Sequence, residues 1–351
     1  MAAPPPTIGL IANPVSARDI RRVVANANNL QTADRVNIVL RVLAAAGSCG
    51  VGRVLMMPDT GGISAMLSRS LARERVTNHH FPEVEFLEMH VHGTIEDTFA
   101  AARRMRAAGV AAIVVLGGDG THRAVARECG DVPIAGISTG TNNAFAEMRE
   151  PTITGMAVGL YASGRLSADQ ALVPNKILEV QVDHGRRRDI ALVDAVISTD
   201  RYIGARALWR TESLRWLYVT YADPEAIGMS AIAGLLEPVG RREPGGCAVE
   251  LCPALDTPKL TLLAPIAPGM VRAVGISGWQ RMGADQTFRV EQQAGVVARD
   301  GERELTFDPG DVVTITLREG VFRTLDVSRC LQIAAADGLF RLPAPSPREE
   351  D

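Results

Sequence analysis

Asp119 stands among three glycines, directly after an apolar run and just before a segment of helical period. Glycine lets another molecule approach the backbone closely, and the free N–H groups that begin a helix attract anions. A phosphate suits such a turn, and a carboxylate beside a phosphate serves to bind a divalent cation or to accept a proton. The pattern therefore predicts that Asp119 is a metal-binding residue or a general base, against the alternative that it only caps the helix.

A second loop of the same character follows the next apolar run, "PIAGIS". It offers small or polar groups that suit a phosphate, at Thr139, Gly140, Thr141, Asn142 and Asn143. Two such loops at the ends of neighbouring parallel strands face one crevice, where open α/β sheets bind ligands. Neither loop matches the Walker pattern or the dinucleotide fingerprint. An ordinary Rossmann dehydrogenase is therefore disfavoured.

The elements that must position these loops follow from the hydrophobic pattern. From Ile8 to about Ala146, short apolar runs alternate with stretches of helical period such as residues 94–109, which predicts a parallel sheet covered on both faces. After Asn175 the chain shows regularly spaced short strands cut by turn signals. We therefore predict an α/β domain with a parallel sheet over residues 1–150, a mainly-β, sandwich-like domain over 151–342, and a disordered tail over 343–351.

Composition bounds the partners and the compartment. The 351 residues carry a net charge of -3, which argues against a nucleic-acid partner. The five cysteines are odd in number and scattered, which favours a reducing compartment over a disulfide framework. No apolar run approaches the ~18 residues that span a bilayer, and the N-terminus lacks the basic region of a signal peptide. We expect a cytoplasmic homo-oligomer without stable membrane insertion, whose partners are small-molecule nucleotides.

The glycine-rich turn reads GGDGT at residues 117–121, and this motif resembles the signature of the NAD kinases, diacylglycerol kinases and related lipid kinases. Within that superfamily the chain is most similar to ATP-NAD kinase-like proteins of the acetoin-catabolism protein X type. The resemblance continues in order through most of the chain, in the segments 8–22, 34–43, 117–125, 138–145, 191–197, 227–236 and 263–271.

The resemblance implies a two-domain kinase, NAD kinase-like in its first domain, with the active site in the cleft. Such an enzyme transfers the γ-phosphoryl group of ATP, with Mg²⁺, to the 2'-hydroxyl of NAD or NADH. Asp119 is then the general base, and no residue is assigned as a fixed metal ligand. The residues implied to bind nucleotide are Asn13, Gly117, Gly118, Gly120, Thr121, His122, Thr139, Gly140, Thr141, Asn142, Asn143, Asp194 and Ser230.

Three departures from the family pattern leave the acceptor open. Val193 stands where the NAD kinases have the asparagine of an Asn-Glu/Asp pair, "GMSAIAG" replaces a Gly-Thr-Ala-Tyr segment, and "STGTNNAF" resembles the lipid-kinase loop. The alternatives are a lipid or other small-alcohol kinase on the same scaffold, and a non-catalytic nucleotide-sensing protein.

Two further interpretations concern charged or titratable groups near the signature. His122 either donates to a phosphate or sits on the first helical turn. Arg18, Arg21 and Arg22 follow the first predicted strand, where they would clamp phosphates or form a solvated helix face.

Overall fold

The computed structural model describes residues 4–14, 30–77, 81–139, 143–200, 211–253, 256–300 and 303–341. Strands and helices alternate over the first part of the chain. The strands are β1 (Thr7–Ala12), β2 (Arg53–Met56), β3 (Glu83–Phe86), β4 (Ile113–Gly117) and β5 (Ile134–Ser138). The helices are α1 (Thr32–Ser48), α2 (Ile63–Thr77), α3 (Ile95–Ala107), α4 (Asp119–Glu128) and α5 (Pro151–Ala162).

The five strands are parallel and lie in the order β3-β2-β1-β4-β5. The apolar runs of β1, β2, β4 and β5 are continuous because both faces of the sheet are buried there, whereas the edge strand β3 alternates with exposed glutamates. On β4, Val114 and Leu116 face one core cluster, whereas Ile113 and Val115 face the other. The strand order reverses between β1 and β4, so the loops that leave these two strands border the crevice where such sheets bind ligands.

The later part of the chain both extends this sheet and builds a second one. The segment begins with α6 (Ala168–Ala171). The first sheet gains β6 (Leu172–Val182), β7 (Arg187–Ala191), β13 (Thr287–Val290) and β16 (Val313–Leu325). The second sheet, ordered β11-β12-β10-β9-β8-β14-β15, contains β8 (Asp194–Ser198), β9 (Leu214–Val219), β10 (Gly246–Cys252), β11 (Leu260–Ala267), β12 (Met270–Met282), β14 (Gly295–Arg299) and β15 (Arg303–Phe307).

Two short helical elements and one longer helix complete the later part of the chain. They are the 3-10 helix Thr211–Ser213, α7 (Ser230–Gly234) and α8 (Val327–Ala336). Within the described ranges, no helix is long and apolar enough to cross a membrane.

The second sheet packs face to face on the extension of the first. Val180 and Ile315 from the extension meet Ile197 and Val297 from the second sheet in one core cluster, which gives the sandwich-like layer. The predicted fold class, an α/β unit with a mainly-β unit after it, is confirmed. The two units are joined through a shared sheet, because β16 pairs with β5 at Thr324 and Ile134. The boundary at residue 150 stays a prediction, and residues 343–351 lie outside the described part.

Helix α5 approaches α1 closely through two glycines. A Cβ atom on Gly159 would lie 2.5 Å from the Cβ of Cys49 and 2.8 Å from the carbonyl oxygen of Ala46. On Gly155 it would lie 2.5 Å from the carbonyl oxygen of Val42. Backbone atoms cannot yield to this extent without moving the helix, so the glycines set the distance between the two helices.

Gly159→Ala is therefore expected to lower the free energy of unfolding by about 1–3 kcal/mol, because the added methyl group overpacks the contact between α5 and α1. Urea denaturation followed by circular dichroism measures the change. Gly278→Ala is the matched control, since a Cβ atom there finds its nearest heavy atom at 3.7 Å. Equal stability of the two variants would contradict the prediction.

Candidate functional site

The loops after β1 and β4 meet at the point where the strand order reverses. Asn13 follows β1, and its Nδ2 donates to the hydroxyl of Thr121 on α4 at 3.1 Å. Its backbone N–H donates to the carbonyl oxygen of Leu116 at 3.2 Å. Arg35 of α1, buried at 3% exposure, donates through Nη1 to the carbonyl oxygen of Asn13. The β1 loop is thus bound to the GGDGT turn.

The three glycines of the GGDGT turn have different reasons to lack a side chain. A Cβ atom on Gly117 would collide with Thr121 at 2.7 Å, and one on Gly118 would lie 3.0 Å from Oδ1 of Asn143. A Cβ atom on Gly120 would meet no heavy atom of the described residues within 4 Å, so these residues leave space over the start of α4. The N–H groups of Thr121 and His122 donate to the carbonyl oxygen of Gly118, which leaves those of Asp119 and Gly120 as the candidate anion donors at this helix start.

The loop after β5 lies against the GGDGT turn, as expected for neighbouring parallel strands. The Thr139 N–H donates to the carbonyl oxygen of Gly117 at 3.3 Å. Asn143 packs on Gly118 and donates through Nδ2 to the hydroxyl of Ser138 at 2.7 Å. The predicted site residues Gly140, Thr141 and Asn142 lie outside the described residues, as do Arg18, Arg21 and Arg22.

The carboxylate of Asp119 begins α4 and binds the backbone of the β5 loop. Its Oδ2 accepts the N–H of Ala144 at 2.8 Å, and its Oδ1 accepts those of Phe145 at 3.0 Å and Ala146 at 3.3 Å. Each carboxylate oxygen has two lone pairs, so Oδ2 keeps one acceptor position beyond the Ala144 bond. The side chain therefore positions the loop and can also receive the proton of a hydroxyl.

Burial gives this carboxyl an unusual basicity. Desolvation, followed by the nearby negative charge of Asp300, raises the pKa of Asp119 to about 6, against the lowering effect of the three N–H donors. A general base is most effective when its pKa lies near the working pH. Asp119 is thus a stronger base than an exposed aspartate and still mostly ionised at neutral pH.

Asp300 is a site residue that sequence reasoning missed. It lies in the left-handed region, at a φ of 48°, after β14, and its carboxylate accepts the N–H groups of Leu192 at 3.0 Å and Val193 at 2.9 Å. Its Oδ2 lies 3.9 Å from Nε of Arg123 on α4, and both side chains are buried. The pair connects the helix that carries Asp119 to the start of the strand that carries Asp194.

Tyr221 and Arg241 were also missed, and both hold the β5 loop from the later part of the chain. The Tyr221 hydroxyl donates to the carbonyl oxygen of Ala144 at 2.7 Å, and burial raises the pKa of that hydroxyl. Arg241 donates through Nη1 to the carbonyl oxygen of Phe145 at 2.8 Å, and its guanidinium lies 4.1 Å from the centre of the Phe145 ring. The loop is therefore held by Asp119 on one side and by these two residues on the other.

The structure corrects the expected roles of Thr121 and His122. Thr121 is 4% exposed and its hydroxyl accepts from Asn13, so its side chain faces inward. His122 is fully buried, with Nδ1 2.9 Å from the carbonyl oxygen of Gly118, and burial lowers the pKa of its imidazole to about 4. His122 is therefore a neutral core residue on the first helical turn, and its predicted contact with a phosphate is wrong.

Asp194 and Ser230 lie in different surroundings. Asp194, 6% exposed at the first position of β8, is one of three carboxylates close enough to Tyr221 to raise its pKa; the others are Asp119 and Asp300. Ser230, 2% exposed, begins α7, whose neighbouring residues Met229 and Ile232 belong to the core of the second sheet. Within the described part of the chain, Ser230 forms no hydrogen bond with Asp119 or Asn13.

A preformed metal cage is absent from the described residues, where no three His, Cys, Asp or Glu side chains converge on one point. His90 and His92 are exposed in the loop between β3 and α3.

Comparisons with known proteins agree with this architecture. Residues 8–165 match the ATP-NAD kinase N-terminal domain, and residues 176–320 match the acetoin catabolism protein X C-terminal domain. Over 345 residues the chain is 60% identical to acetoin catabolism protein X of Cupriavidus necator, covering 97% of this chain and 96% of that protein. The chain belongs to the acetoin catabolism protein X family. The predicted resemblance is confirmed.

The fold of this acetoin catabolism protein X family member is shared with a solved kinase. The crystal structure of yeast NADH kinase complexed with NADH superposes with a TM-score of 0.51 at 11% identity, covering 98% of this chain and 91% of that chain. The family member therefore has a kinase-like scaffold of the NAD kinase type. Its GGDGT turn lies where the strand order of the first sheet reverses, between β1 and β4.

Proposed function

We propose that this acetoin catabolism protein X family member transfers the γ-phosphoryl group of ATP to the 2'-hydroxyl of NAD or NADH, with Asp119 as general base. The observation that carries the proposal is a basic, nearly buried carboxylate at the start of α4, directly beside the open space over Gly120. A surface that can bind phosphate therefore lies next to a group that can accept a proton. Phosphoryl transfer to an alcohol requires both.

Phosphate binding is assigned to the backbone of the GGDGT turn. The open space over Gly120 admits phosphate oxygens to the first N–H groups of α4, which are oriented by the hydrogen bonds between Thr121 and Asn13 and between Thr139 and Gly117. Because these donors are fixed before the nucleotide arrives, little reorganisation is needed when the charge on the transferred group is redistributed.

Asp119 is proposed to accept the proton of the acceptor's hydroxyl group. Its Oδ2 retains an acceptor position, and its raised pKa, about 6, favours taking a proton as the hydroxyl attacks. The three backbone donors from residues 144–146 fix the direction of the carboxylate. The side chain therefore loses little conformational freedom when the acceptor binds.

Mg²⁺ is proposed to arrive with ATP, because this ion is usually bound through substrate phosphates and one or two carboxylates rather than by an all-protein cage. Among the described residues, Asp194 is the group proposed to complete its coordination. When bound, the ion neutralises phosphate charge.

The dinucleotide acceptor is proposed from family membership. The first part of the chain matches the ATP-NAD kinase N-terminal domain, and the structural neighbour named above is an NADH kinase solved with NADH. Val193 replaces an amide side chain expected near the dinucleotide. Its backbone N–H donates to the carboxylate of Asp300 at 2.9 Å, and this bond fixes the backbone at the start of β8 beside the cleft.

The test offers Mg²⁺, ATP and one acceptor at a time: NAD, NADH, or diacylglycerol in phosphatidylcholine vesicles. Phosphorylated product is quantified for the wild type, for Asp119→Asn, and for Asp131→Asn, an exposed carboxylate between α4 and β5. NADP or NADPH made by the wild type and by Asp131→Asn, but not by Asp119→Asn, supports the proposal. Phosphorylated lipid as the only product would show that the acceptor is a lipid and not a dinucleotide. ATP binding detected by calorimetry without any product would show a nucleotide-sensing protein and not a kinase.

A further inference from the structure

A cavity of about 520 Å³ lies next to the β5 loop but apart from the GGDGT turn. The segment 145–147 links the cavity to the turn. Phe145 and Ala146 line the cavity, and their backbone N–H groups donate to the carboxylate of Asp119. Among the described residues, none of those expected to bind ATP or the dinucleotide lines it. The cavity is in the size range of small-molecule sites.

Four arginines line this cavity, and they outnumber the carboxylates. Arg149 pairs with Glu147, and Arg242 pairs with Asp326. The other two, Arg241 and Arg329, have no carboxylate partner among the described residues. The lining therefore carries two positive charges in excess, which favours an anionic occupant.

The arginine nearest to the β5 loop is held in place by a buried lysine. Lys176, 8% exposed, donates through Nζ to the carbonyl oxygens of Glu243 and Gly245, each at 2.7 Å, and of Gly240 at 3.3 Å. These bonds order the turn that carries Arg241, which is further fixed by the carbonyl oxygen and ring of Phe145. A donor fixed in advance loses little entropy when an anion binds.

We propose that this cavity binds a phosphate-bearing small molecule, as a second site distinct from the one that binds ATP and its acceptor. Guanidinium groups recognise phosphate through paired N–H donors. In the remaining wall, Asn175 donates to the hydroxyl of Thr324 at 2.9 Å, and the Thr324 hydroxyl and the Gln332 amide suit the hydroxyls of an organic phosphate. Because Arg241 also holds Phe145, the occupant would bind beside the loop that Asp119 contacts.

Isothermal titration calorimetry with ribose 5-phosphate, inorganic phosphate and ribose tests the proposal. The proteins are the wild type, Arg241→Gln, Arg329→Gln, and the matched control Arg272→Gln, an exposed arginine on β12. A fifth protein, Gly120→Val, fills the open space of the GGDGT turn and so blocks the first phosphate site. Circular dichroism verifies that each variant is folded.

The wild type is expected to bind ribose 5-phosphate, but not ribose. Arg241→Gln and Arg329→Gln should each weaken binding by about tenfold, which corresponds to one charge-assisted contact, whereas Arg272→Gln and Gly120→Val should leave it unchanged. Equal affinity for inorganic phosphate would support the site and identify free phosphate as its source. Binding that is lost in Gly120→Val and retained in Arg329→Gln, or absent from the wild type up to about 10 mM, would overturn it.

Discussion

Replacement of Asp119 by asparagine should lower the kcat of phosphoryl transfer by about 10²–10⁴-fold, the usual contribution of a general base. The amide has no basic lone pair for the hydroxyl proton. Its N–H₂ group would also oppose one of the backbone N–H donors that now bind the carboxylate. Steady-state assays of NADP(H) formation measure the loss.

Since Asp119 also positions the β5 loop, ATP affinity and thermal stability must be measured on the same variant. Calorimetric binding of ATP close to that of the wild type, together with absent turnover, assigns the loss to the missing base. Undiminished turnover in Asp119→Asn would eliminate this role for the carboxylate.

The pH profile gives a second measurement of the same carboxylate. With a pKa of about 6, activity should fall below pH 6 by about tenfold for each pH unit, because only the ionised form accepts a proton. The contribution of this carboxyl to folding stability changes with pH in the opposite direction. A folded-state pKa above the unfolded value means that the folded protein binds the proton more readily, so this group opposes folding above pH 6 and its penalty disappears as the pH falls towards 4.

Asp300→Asn should lower the free energy of unfolding by about 3–5 kcal/mol, because it leaves the buried guanidinium of Arg123 without its counter-charge. The substitution removes the charge and disturbs one further contact. An amide oxygen in place of Oδ1 can keep the bonds from Leu192 and Val193. Oδ2, which faces Arg123, also accepts the Leu192 N–H at 3.1 Å, so an amide N–H₂ group there opposes two donors. Urea denaturation at pH 7 measures the effect.

Glu85→Gln is the matched control for this prediction. It removes one carboxylate charge from an exposed ion pair with Arg53, where the expected loss is below about 1 kcal/mol. Burial raises the pKa of Asp300, so the penalty of Asp300→Asn should shrink as the pH falls and the wild-type carboxyl takes up a proton. The combined variant Arg123→Met/Asp300→Asn should recover part of the loss. A penalty as small as that of Glu85→Gln would refute the buried pair.

The Asp300 variant also has a readout in the reaction. Its negative charge is the second cause of the raised pKa of Asp119, after burial. Asp300→Asn should therefore move the acid limb of the activity profile to lower pH. A purely structural role for Asp300 would leave that limb in place.

The sequence determined the parallel half of the first sheet and indicated which edge of that sheet carries the candidate site. Strands such as β4 are buried on both faces and read as continuous apolar runs, and the polar loops after neighbouring parallel strands must emerge at one edge. Asp119 and Asn143 could thus be assigned to one crevice from the sequence, and the family resemblance added Asn13. Helix α8 was not predicted; it buries only Val327, Cys330 and Ala334, and its N-cap, Asp326, reads locally as a turn residue.

Only the tertiary structure decided how the site is held and how basic its carboxylate is. Tyr221 and Arg241 bind the β5 loop from 77 and 96 residues further along the chain, and Asp300 binds Leu192 across 108 residues. Such partners leave no local periodicity in a sequence. The pKa of Asp119 and the neutrality of His122 depend on burial by distant segments, because desolvation is set by the atoms that folding packs around a group.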